Sequence, residues 1–168
     1  TRVNLMDAAN PDTDTPINIG KKVVVVGGGN TAMDSCRTAK RLGADVTIVY
    51  RRSEVEMPAR LEEVKHAKEE GIHFLTLHNP KEYLADDQGR VRAVVLDVMR
   101  LGEPDASGRR RPVPTGETQT LECDQVIVSI GVSPNPLVPK SVSGLELGRK
   151  NTIVVGEDMR SSRPNIYA

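Results

Sequence analysis

Aromatic side chains are almost missing: the 168 residues hold three tyrosines, one phenylalanine and no tryptophan. Without them there is no platform on which successive bases stack, so nucleic acid is not an expected partner. Cysteine is scarce too. Cys36 and Cys123 stand far apart with no Cys-x-x-Cys spacing, which excludes a thioredoxin-type dithiol and any cysteine-ligated zinc or iron–sulfur site within this chain. They read as reduced, mostly buried thiols of a cytoplasmic protein. Net charge is absent, with 23 basic and 23 acidic side chains, so nothing global favours nucleic acid or an anionic membrane. No apolar run is long enough to span a bilayer and no signal-peptide pattern is seen, so no membrane association is expected. The three histidines, His66, His73 and His78, show neither His-x-x-x-His pairing nor clustered carboxylates. They read as ordinary surface or strand residues, not metal ligands.

What is present is organised around Lys21-Lys22-Val23-Val24-Val25-Val26-Gly27-Gly28-Gly29-Asn30-Thr31-Ala32. Four consecutive valines predict a strand buried on both faces. The strand runs into Gly27-x-Gly29-x-x-Ala32 and then a helix, the order in which a dinucleotide fingerprint carries meaning. Gly27 allows the tight turn, Gly29 lets a pyrophosphate approach the backbone, and Ala32 is small enough for the helix to lie close on the sheet. The unpaired N–H groups and positive dipole end of that helix would face the diphosphate, along Gly27, Gly28, Gly29, Asn30 and Thr31.

The first helix is expected over about Asn30 to Leu42, with Ala32, Cys36, Ala39 and Gly43 as a small-residue stripe. Asp34 would lie in its first turn and Arg37, Lys40 and Arg41 in its last. Asp45 to Tyr50 predicts the second strand. An NAD site wants a carboxylate near its end, on the ribose 2′-hydroxyl. Here Arg51 and Arg52 stand instead, and two guanidinium groups can fork onto the 2′-phosphate of NADP(H); the alternative is a pair of solvated arginines. A second helix is expected to start at Met57-Pro58-Ala59-Arg60-Leu61, with Pro58 in its first turn and Leu61, Val64 and Ala67 buried. Ile72 to Leu77 completes a β-α-β-α-β unit of parallel strands.

After Asn79-Pro80 the pattern changes. Lys81 to Ala85, Val91 to Leu101 and Gln119 to Cys123 read as strands without intervening helices, with Asp86 to Gly89 as a hairpin turn. Gly102 to Arg111, including Arg109-Arg110-Arg111, reads as a solvated loop of a second hairpin. Gln125 to Ile130 predicts a buried strand beside the first, followed by Gly131, a glycine that lets backbone approach a cofactor. Asn151 to Val155 is a possible short strand. Thr1 to Ile19 carries linker chemistry with no core-forming period.

Val25 to Asp34, Tyr50-Arg51-Arg52-Ser53-Glu54 with Met57-Pro58-Ala59, and Gly102-Glu103-Pro104-Asp105 together resemble the small (beta) subunits of NADPH-dependent glutamate synthase. The related flavoprotein subunits of ferredoxin:NADP oxidoreductase and sulfide dehydrogenase are similar. The resemblance runs over nearly the whole chain. It implies an α/β, Rossmann-like parallel sheet with flanking helices and an antiparallel β-meander crossover, as in glutathione-reductase-type NAD(P)-binding domains. It also implies an NADPH-binding domain over 20–136, a lead-in from an FAD domain over 1–19, and a return segment toward that domain over 137–168. The family's flavin fingerprint and its cysteine-rich iron–sulfur region do not appear in this sequence. The expectation is therefore an excised domain that binds NADP(H) at Gly27 to Ala32, Arg51, Arg52 and Gly131. FAD and iron–sulfur clusters would belong to the full-length protein, and its partners would be its own FAD domain and a large or electron-accepting subunit. No side chain here need act as acid or base, and the fragment alone is expected to be inactive.

Three other functions are open. A self-contained NADP-dependent dehydrogenase of the short-chain kind needs Tyr-x-x-x-Lys, which none of Tyr50, Tyr83 and Tyr167 provides. A methyltransferase would want a ribose carboxylate where Arg51 and Arg52 stand. A nucleotide-sensing or interaction module would bind without catalysis.

Overall fold

The computed structural model describes residues 20–106, 108–131 and 134–168; the lead-in expected over Thr1 to Ile19 lies outside them. The chain divides into two compact units, Thr1–Gly131 and Val132–Ala168. In the first, β1 (Lys22–Val26), α1 (Asn30–Arg41), β2 (Asp45–Tyr50), α2 (Leu61–Glu69) and β3 (His73–Thr76) follow in order. A meander of β4 (His78–Ala85), β5 (Val91–Pro104) and β6 (Arg110–Glu122) precedes β7 (Gln125–Val128). β3, β2, β1 and β7 form a four-stranded sheet in that order, and β4, β5 and β6 a three-stranded one. All pairs in the first sheet are parallel and both pairs in the second are antiparallel.

The valine run explains the layering. Successive strand residues point to opposite faces, so a strand that is apolar throughout must be covered twice. Val23 and Val25, with Val46, Ile48 and Tyr50 of β2, pack against Met33, Cys36 and Ala39 of α1 and Val64 and Ala67 of α2. Val24, Val26 and Val49 face the other way, onto Val94 and Leu96 of β5 and Cys123. Helices cover one face and the meander covers the other. Each fully buried valine stabilises the unit by roughly 2 kcal/mol, which makes β1 its anchor. The expected fold class is therefore found, including the meander in place of a crossover helix.

Several local expectations are corrected. α2 starts at Leu61, with Arg60 as its N-cap, because Glu54–Glu56 forms a separate turn of 3-10 helix; Met57 to Arg60 is extended or irregular, and Pro58 lies before α2 rather than in its first turn. Leu61 is 83% exposed and lies outside the buried stripe, which is carried by Val64 and Ala67. Asp34 falls beyond the first turn of α1, and Arg37 short of the last; Met33 joins the buried face instead. The second hairpin is longer and its loop shorter than expected, because β5 runs on to Pro104 and β6 starts at Arg110. Its exposed residues alternate poorly because β6 is an edge strand with little to pack against. In the second unit, α3 (Leu137–Ser141) is followed by isolated bridges, Leu147 to Ile153 and Val155 to Ser161, in place of a strand over Asn151 to Val155.

α1 is tied on its outer side to two carboxylates, Glu63 of α2 and Glu70 at the α2 C-cap. Arg41 Nη2 and Arg37 Nε donate to Glu70 at 2.6 and 2.8 Å, and Arg37 Nη1 donates to Glu63 at 2.7 Å. Hydrogen bonding from Arg41, then Arg37, holds the Glu70 carboxyl below its ordinary value of 4.5. A carboxyl whose folded value is depressed stabilises the fold above its unfolded value and loses that contribution as pH falls through the folded one. Glu70→Gln should therefore cost about 1 kcal/mol at pH 7, or about 3 °C in Tm, after allowance for partial solvent screening. Thermal melts of the two proteins should converge as the pH falls below 4.5.

Burial pushes the Cys36 thiol up to about 12 and raises that of Cys123 as well. Neither cysteine should react with an aromatic disulfide reagent at pH 8 in the folded protein, and both should react at once in denaturant.

Candidate functional site

The carboxyl ends of the parallel strands open on a cleft of about 450 Å³, floored by Gly27, Gly28 and Gly29 and walled by Arg51, Arg52 and Pro58 on one side. His78, Asn79 and Pro80, then Ser129 to Gly131, complete it. A larger, more open hollow of about 990 Å³ lies at the opposite edge of the strands, beside Lys22, Asp86, Arg90 and Glu122. Among the described residues, no helix start lines that hollow. The cleft at the carboxyl ends is the one placed for a ligand in an open parallel sheet.

Each glycine of the floor has its own reason. Gly27 adopts φ +139°, and a β-carbon there would collide with the Ser129 carbonyl oxygen, because Ser129 N–H donates to Val26 O at 2.7 Å and brings the end of β7 over the turn. A β-carbon on Gly28 would lie 2.7 Å from the Tyr50 ring. Gly29 differs. Its φ of −93° suits any residue, and a β-carbon there would meet only Pro58 Cγ, at 4.0 Å. Among the described residues nothing requires a glycine at that point; the space it leaves is a cradle at the start of α1. Ala32 and Met33 N–H donate to Gly29 O at 2.9 and 3.1 Å, while the first N–H groups of a helix have no intrahelical acceptor.

The loop after β2 is stitched to this turn. Ala59 N–H donates to Gly28 O at 3.0 Å and Arg60 N–H to Asn30 Oδ1 at 2.9 Å. Tyr50 Oη donates to Glu56 O at 2.8 Å, so the ring under Gly28 also ties down the 3-10 turn. The acids nearest the arginine pair are committed elsewhere. Glu54 pairs with Lys68 at 2.6 Å, and Glu56 accepts from Ser53 N–H and Oγ at 3.1 Å. Arg51 and Arg52 have no ion-pair partner among the described residues. Arg52 Nε is buried with no hydrogen-bond acceptor there. A buried donor left unpaired costs about 1–3 kcal/mol.

Of the residues expected at the site, Gly27, Gly28, Gly29, Thr31, Arg51, Arg52 and Gly131 line this one cleft. Asn30 and Ala32 do not: Asn30 braces the loop through Arg60, and Ala32 is buried between helix and sheet. Sequence reasoning passed over Tyr50, Pro58, Asn79 and His78 as wall residues. The Pro58 signal lay in the Met57-Pro58-Ala59 motif. For His78 and Asn79 only the tertiary fold supplies it, since they reach the cleft through the bend between the two sheets. No group of three or more His, Cys, Asp or Glu among the described residues is placed to hold a metal ion.

Residues 3–168 match the model of the pyridine nucleotide-disulphide oxidoreductase family. The chain belongs to that family. It is 49% identical over 165 residues to the NADPH-Fe(3+) oxidoreductase subunit beta of Geobacter sulfurreducens, covering 91% of this chain and 24% of that protein. It is 42% identical over 141 residues to the glutamate synthase [NADPH] small chain of Halomonas elongata, covering 83% and 29%. The chain thus spans about a quarter of the length of these curated relatives. Among solved structures, Mycobacterium tuberculosis FprA in complex with NADPH matches with a TM-score of 0.70 at 20% identity, over 89% of this chain and 46% of that one. Thioredoxin reductase of T. acidophilum matches with 0.70 at 24%, over 88% and 42%. At those identities the likeness is one of fold. The resemblance and fold class read from the sequence are both borne out. The disulphide of the family's name has no counterpart in Cys36 and Cys123, which are free and buried on opposite faces of the sheet.

The glycines can be separated by stability alone. Gly28→Ala should lower unfolding free energy by about 2–3 kcal/mol through overpacking against Tyr50. Gly29→Ala should lower it by less than about 1 kcal/mol, the cost of a poorer N-cap. Urea melts of the two variants measure the difference.

Proposed function

We propose that this chain is the NADP(H)-binding domain of a flavin-dependent oxidoreductase of the glutamate synthase small-subunit type. The observation that carries the reading is the pairing, in one cleft, of a side-chain-free helix start at Gly29 with two uncommitted guanidinium groups, one of them holding a buried, unpartnered Nε–H. The diphosphate rests along Gly27 to Thr31, on the free amides and positive end of α1. Arg51 and Arg52 take the 2′-phosphate, and Gly131 leaves room at the far side of the cleft. The sequence names of the relatives support the choice of NADPH.

NADPH held in this way would supply a hydride for a flavin carried by another part of the full-length protein, whose iron–sulfur centres and electron-accepting subunit would take the electrons on. This chain binds and orients; it need move no proton. Residues 20–136 constitute the nucleotide domain, 1–19 leads in from the FAD domain, and 137–168 returns toward it. The glutamate-forming pathway and the cytoplasm are the setting we favour.

Fluorescence titration tests this directly. NADPH should bind at least tenfold more tightly than NADH, and Arg51→Ala or Arg52→Ala should each erase most of that gap, since a charge-assisted hydrogen bond contributes about 1.5–3 kcal/mol. The chain should show no diaphorase turnover without added FAD-bearing protein. Equal affinities for the two nucleotides, unchanged in both variants, would remove the arginine assignment. Turnover of a substrate without flavin would favour a self-contained dehydrogenase instead.

A further inference from the structure

The part of the cleft lining formed by His78 and Asn79 has an electrostatic character of its own. β3 ends at Thr76 and β4 begins at His78, so the chain changes sheets across Leu77, at φ +57°. Both neighbours pin that bend: Leu77 N–H donates to Arg52 O at 3.0 Å, and Met99 N–H donates to Leu77 O at 2.7 Å. His78 therefore follows, by one residue, a backbone bond to Arg52 itself. That places it at the adenosine end of the cleft, away from the glycine turn.

The donors of this wall are spent on backbone. His78 Nδ1 lies 2.7 Å from Thr76 O, and a carbonyl oxygen only accepts, so Nδ1 carries the hydrogen. In the neutral ring Nε2 is then a lone-pair acceptor. Asn79 Nδ2 donates to Pro80 O at 3.1 Å, which leaves Oδ1 as a second acceptor. The cleft lining thus holds guanidinium donors at Arg51 and Arg52 and acceptors at His78 and Asn79. An adenosine 2′-phosphate is complementary to that arrangement: its phosphate oxygens only accept, and the exocyclic amino group of adenine donates.

Resting on the NADP(H) reading above, we propose that His78 and Asn79 are specificity-determining residues that recognise the adenine amino group, through His78 Nε2 with support from Asn79 Oδ1. Arg51 and Arg52 decide whether the ribose is phosphorylated; the His78-Asn79 pair decides which purine is attached. Hypoxanthine carries a carbonyl oxygen where adenine carries the amine, so it would set an acceptor against an acceptor.

The test compares NADPH with its deaminated analogue, reduced nicotinamide hypoxanthine dinucleotide phosphate, by fluorescence titration at pH 8. The wild-type chain should prefer NADPH by about tenfold, the size of one good hydrogen bond plus the penalty of a mismatched one. His78→Ala with Asn79→Ala should reduce the preference to twofold or less. His78→Gln, which keeps an acceptor, should retain most of it, and thermal melts should show all variants folded at the assay temperature. A wild-type preference that survives the double substitution, or no preference at all, would overturn the proposal while leaving NADPH binding intact. Failure of the wild-type chain to bind either dinucleotide would overturn the cofactor reading and this one with it.

Discussion

Two backbone contacts hold the cleft in shape: Ala59 N–H on Gly28 O and Arg60 N–H on the Asn30 side chain. They join the loop after β1 to the loop after β2. Without them the cradle at Gly29 and the guanidinium pair would be separate features of two neighbouring strand ends. Hydrogen bonds of this kind contribute only about 1 kcal/mol each, but their geometric effect is larger. They require the second loop to lie flat over the first, and the Tyr50 ring fills the space between. That in turn leaves no room for a side chain on Gly28. A packing constraint at one glycine and an electrostatic arrangement at two arginines are therefore consequences of the same closure.

The parallel sheet makes this closure possible. β1 is dry on both faces because helices cover one and the meander the other, so its carboxyl end is held without help from any ligand. Strands covered on both sides read as continuous apolar runs, and the four valines made β1 legible at once. β2, the hairpin turn at Asp86 to Gly89 and the start of α1 were legible for similar local reasons, since each carries its own period or turn chemistry. The start of α2 was not. Pro58 suits a first helical turn, but the capping of Ser53 by Glu56 and the bond from Tyr50 Oη to Glu56 O commit the preceding residues to a separate turn. Tertiary bonds outweighed a local preference there, and Leu61 was carried to the surface as a result.

The site was legible in proportion to how local its residues are. Gly27 to Gly29 and Arg51 to Arg52 lie directly after strands, where a parallel sheet gathers its functional ends. Their chemistry could be read from spacing. What spacing could not supply is which charges remain uncommitted. Of the acids that follow the arginine pair, Glu54 turns to Lys68 and Glu56 to Ser53. Had either turned inward, the same sequence would have made a salt-bridged loop with little affinity for a phosphate.

The change of sheet at Leu77 bears most on how the cleft came to be lined by both sheets. In a sheet with a helix after β3, the chain would leave the carboxyl edge and descend along a face. Here it enters an antiparallel strand immediately, held by Arg52 O on one side and Met99 N–H on the other. A left-handed residue is costly for leucine, on the order of 1 kcal/mol, and it persists because both sheets fix the backbone around it. Its effect is to keep His78 and Asn79 at the cleft rather than carrying them away. The meander that covers the second face of β1 thereby also supplies part of the cleft lining, so the layer that completes the core and one part of the cleft are built from one stretch of chain.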